Sequence, residues 1–197
     1  MLSCFYSESY NNQVGLVAIQ VAPAEENAKF MFQDVTMKNN VEQGVYATGT
    51  GITINNAAIK NNRYGLEIGP TLVNDITLAG DISVTNNEYG LRDEAEPDVN
   101  GESQGTVHVT GNLKLNRNEV DGLVTYGSSG NLAIAVGDSY SGKSGKSGSS
   151  GSLTACDNGV SDITSAGTIF EGTDYTCDKD KTSGPNLPEC MPCYPDC

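Results

Sequence analysis

Along the first two thirds of the chain, apolar and polar positions alternate in short runs: Val35-x-Met37, Ala57-x-Ile59, Ile82-x-Val84 and Leu113-x-Leu115. A second set, Ile52-Thr53-Ile54, Ile76-Thr77-Leu78 and Val107-His108-Val109, precedes three of these. Period-two alternation predicts strands that bury one face, and no helical periodicity competes with it. After each strand pair comes an Asn, then a Gly followed by Leu or Val. The copies are Asn12-Gln-Val-Gly15-Leu16, Asn40-Val-Glu-Gln-Gly44-Val45, Asn62-Arg-Tyr-Gly65-Leu66, Asn87-Glu-Tyr-Gly90-Leu91 and Asn118-Glu-Val-Asp-Gly122-Leu123. The Asn positions are 28, 22, 25 and 31 residues apart. Each unit therefore holds about three short strands, too few to bury its own apolar side chains, and must stack on its neighbours.

Stacked units of this length resemble the repeats of the right-handed parallel β-helix, the fold of the pectate lyases and of many surface proteins. The resemblance covers residues 12 to 136 and implies an all-β solenoid of about five coils. It also implies ladders of Asn side chains inside the coil, at the positions of Asn40, Asn62, Asn87 and Asn118, with Gly44, Gly65, Gly90 and Gly122 at the corners. Asn tolerates positive φ and both donates and accepts hydrogen bonds, while Gly supplies a special conformation or a close approach. Leucine-rich repeats need several leucines per unit, and propeller blades are longer. The expected organisation is a β-helix over 1–136, a Gly/Ser-rich linker or loop over 137–152, and a Cys-rich segment over 153–197. The pattern opens inside a repeat, as expected of one piece of a longer β-helix.

Charge narrows the partners. With 25 acidic and 11 basic residues, the chain of 197 carries a formal charge of −14, which argues against nucleic acid or an anionic membrane. No apolar run approaches the roughly 18 residues of a membrane span. Besides Cys4, the cysteines crowd into the tail as Cys156, Cys177, Cys190, Cys193 and Cys197. In a loop-rich acidic segment they predict disulfides and an extracellular or cell-surface location. A Cys156 to Cys177 bridge is expected to pin the intervening loop. Zinc is the rival use of Cys190-Met-Pro-Cys193, but no second closely spaced pair accompanies it.

The longest excursion, residues 92–105, carries Asp93, Glu94, Glu96, Asp98 and Glu102 and is the expected place for a binding site. Asp93, Glu96 and Asp98 would suit calcium, the one cofactor considered, although the loop lacks the order of a calcium-binding loop and a charge run is usually just solvated. The resemblance brings enzymes into view, yet the Asn-Thr-Asp, Asp-Asp, Gly-His-Gly and Arg-Ile-Lys strings of polygalacturonases and the Asp-Pro-His-Glu of alginate epimerases are absent. Arg92 and the lone histidine, His108, are the remaining catalytic candidates. His108 alternates with valines and is expected to point outward. Tyr64 and Tyr89 occupy equivalent positions in adjacent units, where they would stack, as a sugar platform if exposed or as packing if half-buried. The expected function is a non-catalytic module for adhesion, matrix or carbohydrate binding, with a polysaccharide or the extracellular matrix as partner. The alternative is a divergent polysaccharide lyase or hydrolase.

Overall fold

A computed structural model describes residues 2–19, 30–69, 73–93, 104–125, 132–137, 151–166 and 168–193. The strands are β1 (Leu2–Tyr10), β2 (Leu16–Ile19), β3 (Phe30–Lys38), β4 (Gln43–Thr48), β5 (Thr50–Lys60), β6 (Tyr64–Ile68), β7 (Val73–Thr85), β8 (Tyr89–Asp93) and β9 (Gln104–Val109). There follow β10 (Asn112–Asn116), β11 (Asp121–Thr125), β12 (Leu132–Val136), β13 (Ser152–Ala155), β14 (Ser161–Ser165), β15 (Ile169–Glu171), β16 (Tyr175–Cys177), β17 (Thr182–Ser183) and β18 (Cys190–Met191). Among the described residues the only helical turn is a 3₁₀ turn, Lys179–Lys181.

Every strand pairing is parallel, and the strands form one sheet of eleven and one of seven. The chain passes from the larger sheet to the smaller and back, and each strand pairs with its counterpart in the next repeat. This all-β architecture is compatible with a β-helix-like solenoid.

In two of the units the two expected strands are one, whereas β9 and β10 remain separate. β5 and β7 each run through both apolar triplets, bending where Asn56 (φ 55°) and Gly80 (φ 65°) take the left-handed conformation. Asp34 (φ 55°) makes the same bend in β3. An outer ladder follows this edge: Asn56 Nδ2 donates to Asp34 Oδ1 (2.9 Å), and Asn112 Nδ2 donates to Asp81 Oδ1 (2.8 Å).

The core is a set of columns, one side chain per tier. Parallel register aligns Val35, Ala57, Ile82, Leu113, Leu153 and Tyr175 in one, and Val45, Leu66, Leu91, Leu123 and Ile163 in another on the facing sheet. All are buried, and a fully buried aliphatic side chain contributes about 1.5–3 kcal/mol.

Between the sheets runs a polar seam. Asn40 Nδ2 donates to Asn62 Oδ1 (3.0 Å), Asn62 to Asn87 (3.0 Å), Asn87 to Asn118 (3.2 Å) and Asn118 to Asn158 (3.0 Å). Each acceptor oxygen also takes the main-chain N–H of the preceding asparagine, at 2.9–3.1 Å. All five side chains are at least nine-tenths buried, so the ladder satisfies amides that would otherwise be costly.

Two jobs that one Asn was expected to do are divided between neighbours. Positive φ belongs to the residue before each rung, namely Asn39, Asn61, Asn86, Arg117 and Asp157, while the rung itself makes the ladder. Gly44, Gly65, Gly90 and Gly122 have no positive φ; their role is close approach. A Cβ on Gly44 would stand 2.8 Å from Asn62 Nδ2 and from Gly65 O, and a Cβ on Gly122 would meet Asn158 Nδ2 at 2.5 Å. The next rung occupies the space a side chain would need.

The sheets continue beyond residue 136. β13, β16 and β18 extend the larger sheet and β14 and β17 the smaller, so Cys156–Cys193 close the same stack. The Gly/Ser-rich residues 138–150 lie outside the described residues. Disulfides join Cys156 to Cys193 and Cys177 to Cys190, with Cα atoms 6.0 and 5.4 Å apart. This corrects the expected Cys156–Cys177 bridge. Tyr175 is in register with Cys190, so β16 lies beside β18 and the partner of Cys177 is on that strand. Cys197 lies outside the described residues.

Candidate functional site

The outer face of the smaller sheet gathers the most varied side chains. Leu66 and Leu91 point inward, so Glu67 and Arg92 take the outward positions of β6 and β8; the corner glycines Gly65 and Gly90 interrupt the alternation, and Tyr64 lies against the Arg92 guanidinium on the same side. Parallel register then places Tyr64 beside Tyr89 and Glu67 beside Arg92. The rings stack with centroids 5.5 Å apart and planes inclined by 26°. Both tyrosines are half-buried.

Two guanidinium groups converge on this pair. Arg92 Cζ lies 4.5 Å and Arg63 Cζ 5.0 Å from the Tyr64 ring centroid. They are two of only three arginines in a chain of charge −14, so the local field departs from that of the whole molecule. Arg63 Nε is held 3.4 Å from Glu88 Oε2 with both side chains substantially exposed, a geometry that orients more than it stabilises. Gln43 Nε2 donates to Glu67 Oε2 (2.8 Å), and Glu67 is buried at 3% exposure although it points outward. One tier further, Asp121 accepts a hydrogen bond from the Ser161 hydroxyl, which lies 2.6 Å from Thr164 Oγ1. The strip thus offers two aromatic rings, two cations and fixed carboxylate and amide groups, an arrangement suited to hydroxyl-rich and anionic ligands.

His108 is elsewhere. It faces outward from the larger sheet between buried Val107 and Val109, with Nε2 3.4 Å from Asp75 Oδ1. Register sets it between Thr77 and Ala135. Arg92 and His108 therefore belong to different sheets and are not brought together.

Asp93 ends β8 in an inward column, aligned with Ile68 and Thr125 and fully buried. The side chain expected at a surface loop thus lies inside the fold. Glu94, Glu96, Asp98 and Glu102, the other carboxylates of the expected binding or calcium site, lie outside the described residues. Among the described residues no group of three or more His, Cys, Asp or Glu is placed to hold a metal ion. No described helix is long and apolar enough to cross a membrane.

Comparison with family models, curated proteins and solved structures found no match. The site's chemistry alone bears on function. Sequence reasoning expected the Tyr64–Tyr89 stack and considered Arg63 and Arg92 as basic candidates, but it missed that the arginines converge on the stack, and it missed Gln43, Glu67 and Glu88. The signal was present: the repeat alignment places all of these within three residues of a corner Gly.

Proposed function

We propose that the chain is a non-catalytic extracellular module with the right-handed parallel β-helix fold of the pectate-lyase-like class, and that it binds carbohydrate of an extracellular matrix. The observation that carries this reading is the Tyr64–Tyr89 stack with Arg63 and Arg92 over the Tyr64 ring. Stacked rings beside fixed polar groups supply the flat contact and the hydrogen bonds that pyranose chains use. Two disulfides support an oxidising compartment.

The test is calorimetric titration with neutral and acidic polysaccharides, followed by the Tyr64→Ala/Arg92→Ala variant. The native chain is expected to bind at least one polysaccharide and the variant to bind it about tenfold or more weakly, the equivalent of about 1.4 kcal/mol. No binding to any polysaccharide would remove the proposal. Release of unsaturated oligosaccharides would overturn the non-catalytic part.

A second reading, a divergent polysaccharide lyase or hydrolase, is favoured by one observation, the His108–Asp75 pair. A histidine oriented by a carboxylate is a usable general base. If His108→Gln left a detected activity unchanged, this reading would fail.

A further inference from the structure

Among the described residues, nine other than glycine adopt positive φ, and eight of them are Asn or Asp. The ninth is Arg117 (φ 56°), the third of the chain's three arginines. It stands where other tiers have Asn39, Asn61, Asn86 and Asp157. Short polar side chains ease the left-handed conformation by bonding to the local backbone, and a long guanidinium side chain gives up that relief. Strain of this kind collects at binding sites.

Arg117 lines a recess of about 210 Å³ between β7 and β10, together with Thr85, Asn86 and Asn116. Asn116 is only 8% exposed, and its Oδ1 accepts the main-chain N–H of Cys156 (3.1 Å). Among the described residues its Nδ2 has no acceptor, so a nine-tenths buried side chain brings an unused donor to the wall of the recess. Guanidinium, carboxamide and hydroxyl donors thus meet around one space. A tetrahedral oxyanion with three free oxygens uses all of them, whereas a planar carboxylate is satisfied by the arginine fork alone.

The recess continues into a row of cations. Register sets Asn116 beside Thr85, Thr85 beside Lys60 and Lys60 beside Lys38, each about 4.8 Å from the next. Like charges on facing positions of neighbouring strands repel. Yet among the described residues no carboxylate stands within ion-pair distance of Lys38, Lys60 or Arg117. Lys38 Nζ rests 4.6 Å from the Tyr10 ring centroid, while Lys60 and Arg117 are exposed. Asp157, one tier beyond Arg117, ends the row.

We propose that this row binds the sulfate esters of an anionic polysaccharide, one sulfate entering the recess against Arg117, Thr85 and Asn116 and others meeting Lys60 and Lys38. The row follows the larger sheet and does not depend on the Tyr64–Tyr89 stack of the smaller one. The formal charge of −14 opposes nucleic acid, which carries a phosphate at every residue, whereas sulfates spaced along a glycan engage the row alone.

Calorimetric titration with chondroitin sulfate tests this, with hyaluronan, which carries carboxylates and no sulfate, and single-stranded DNA as comparisons. The native chain is expected to bind chondroitin sulfate more tightly than either, and less tightly as salt is added. Arg117→Asn and, separately, Lys60→Asn are each expected to weaken binding more than about tenfold. Lys179→Asn, the same change of charge at an exposed residue of the 3₁₀ turn, is expected to leave it within about twofold. Because Asn suits the left-handed conformation, Arg117→Asn is also expected to raise the urea midpoint. No binding of chondroitin sulfate, equal or tighter binding of hyaluronan or DNA, equal weakening by Lys179→Asn, or a lowered midpoint for Arg117→Asn would each overturn the proposal. Binding of neutral polysaccharide alone would overturn it and leave the Tyr64–Tyr89 reading standing.

Discussion

Asp162 closes the ladder that Asn158 ends: its Oδ1 accepts the main-chain N–H (3.3 Å) and the side-chain amide (2.9 Å) of Asn158. Its Oδ2 accepts the N–H of Asp178 (2.9 Å). All carboxamides in the ladder point their NH₂ groups toward this end, so the carboxylate meets the donor end of a polarised chain. Asp162 stands where Gly122, Gly90 and Gly65 stand in earlier tiers, as the flanking pairs Asp121–Ser161 and Leu123–Ile163 fix. With no further asparagine to admit, a side chain fits, and it supplies the missing acceptor.

Asp162→Ala leaves three buried or half-buried donors without acceptors, and each such loss costs about 1–3 kcal/mol. The expected destabilisation is about 3 kcal/mol or more, with Asp162→Asn intermediate. Urea denaturation measures both. If Asp162→Ala lowered stability no more than a change at exposed Val41, the ladder cap would carry no weight.

The division of labour in the Asn-Asn pairs gives a contrast between adjacent residues. Asn86→Gly keeps the left-handed conformation and is expected to change stability by less than about 1 kcal/mol. Asn87→Gly removes a rung with partners above and below and is expected to cost about 2–4 kcal/mol. Thermal unfolding of the two variants side by side checks the order; the reverse order would mean that the turn, and not the ladder, dominates.

Gly65→Ala would bring a Cβ to 2.7 Å from Gly90 O and 2.9 Å from Asn87 Nδ2. Overpacking of this kind typically costs about 1–3 kcal/mol. The denaturation midpoint is expected to fall accordingly, whereas Gly137→Ala, with open space around it but φ 89°, loses stability only through backbone strain.

Tyr175 makes stability sensitive to alkali. Its hydroxyl oxygen lies 2.9 Å from Ile134 O and 2.6 Å from Glu171 O, two carbonyls that compete for its single proton, and burial, aided by the Glu171 charge, raises its pKa well above the ordinary tyrosine value. Below about pH 10 both folded and unfolded chains keep the proton and the contribution is intact. Above it the unfolded chain ionises first, so stability falls as pH rises toward the folded value. Tyr175→Phe is expected to be less stable at neutral pH by about 1–2 kcal/mol and to lose part of the alkaline decline. Urea titrations at neutral and alkaline pH would read both effects.

Peptide mapping under non-reducing conditions is expected to recover Cys156 joined to Cys193 and Cys177 joined to Cys190. Removing either bridge is expected to cost about 2–4 kcal/mol. A Cys156–Cys177 peptide would contradict the strand order at the C-terminal end.

Much of the fold was legible because Asn and Gly recur where the backbone needs them, and apolar parity follows from side chains alternating along strands. The rung at Asn158 was not legible. Its corner glycine has become Asp162, and 40 residues separate it from Asn118. Disulfide pairing was hidden for a related reason: Cys190 comes beside Cys177 only once β18 takes its place in the stack, which spacing along the chain does not reveal. For the site, alternation showed that His108 points outward but not that it does so from a different sheet than Arg92. Arg63 and Arg92 come together only through the register of β6 with β8.

The carboxylate of Asp162 also acts as a terminator. Every earlier tier presents an empty slot that the next one fills, so the repeat by itself contains an instruction to elongate and none to stop. Here the stop is a separate signal, four residues downstream of the last rung and folded back onto its own tier. Length and ending of the ladder are thus encoded independently: repeats inserted upstream of Asn158 would add rungs while the same residue still ended them.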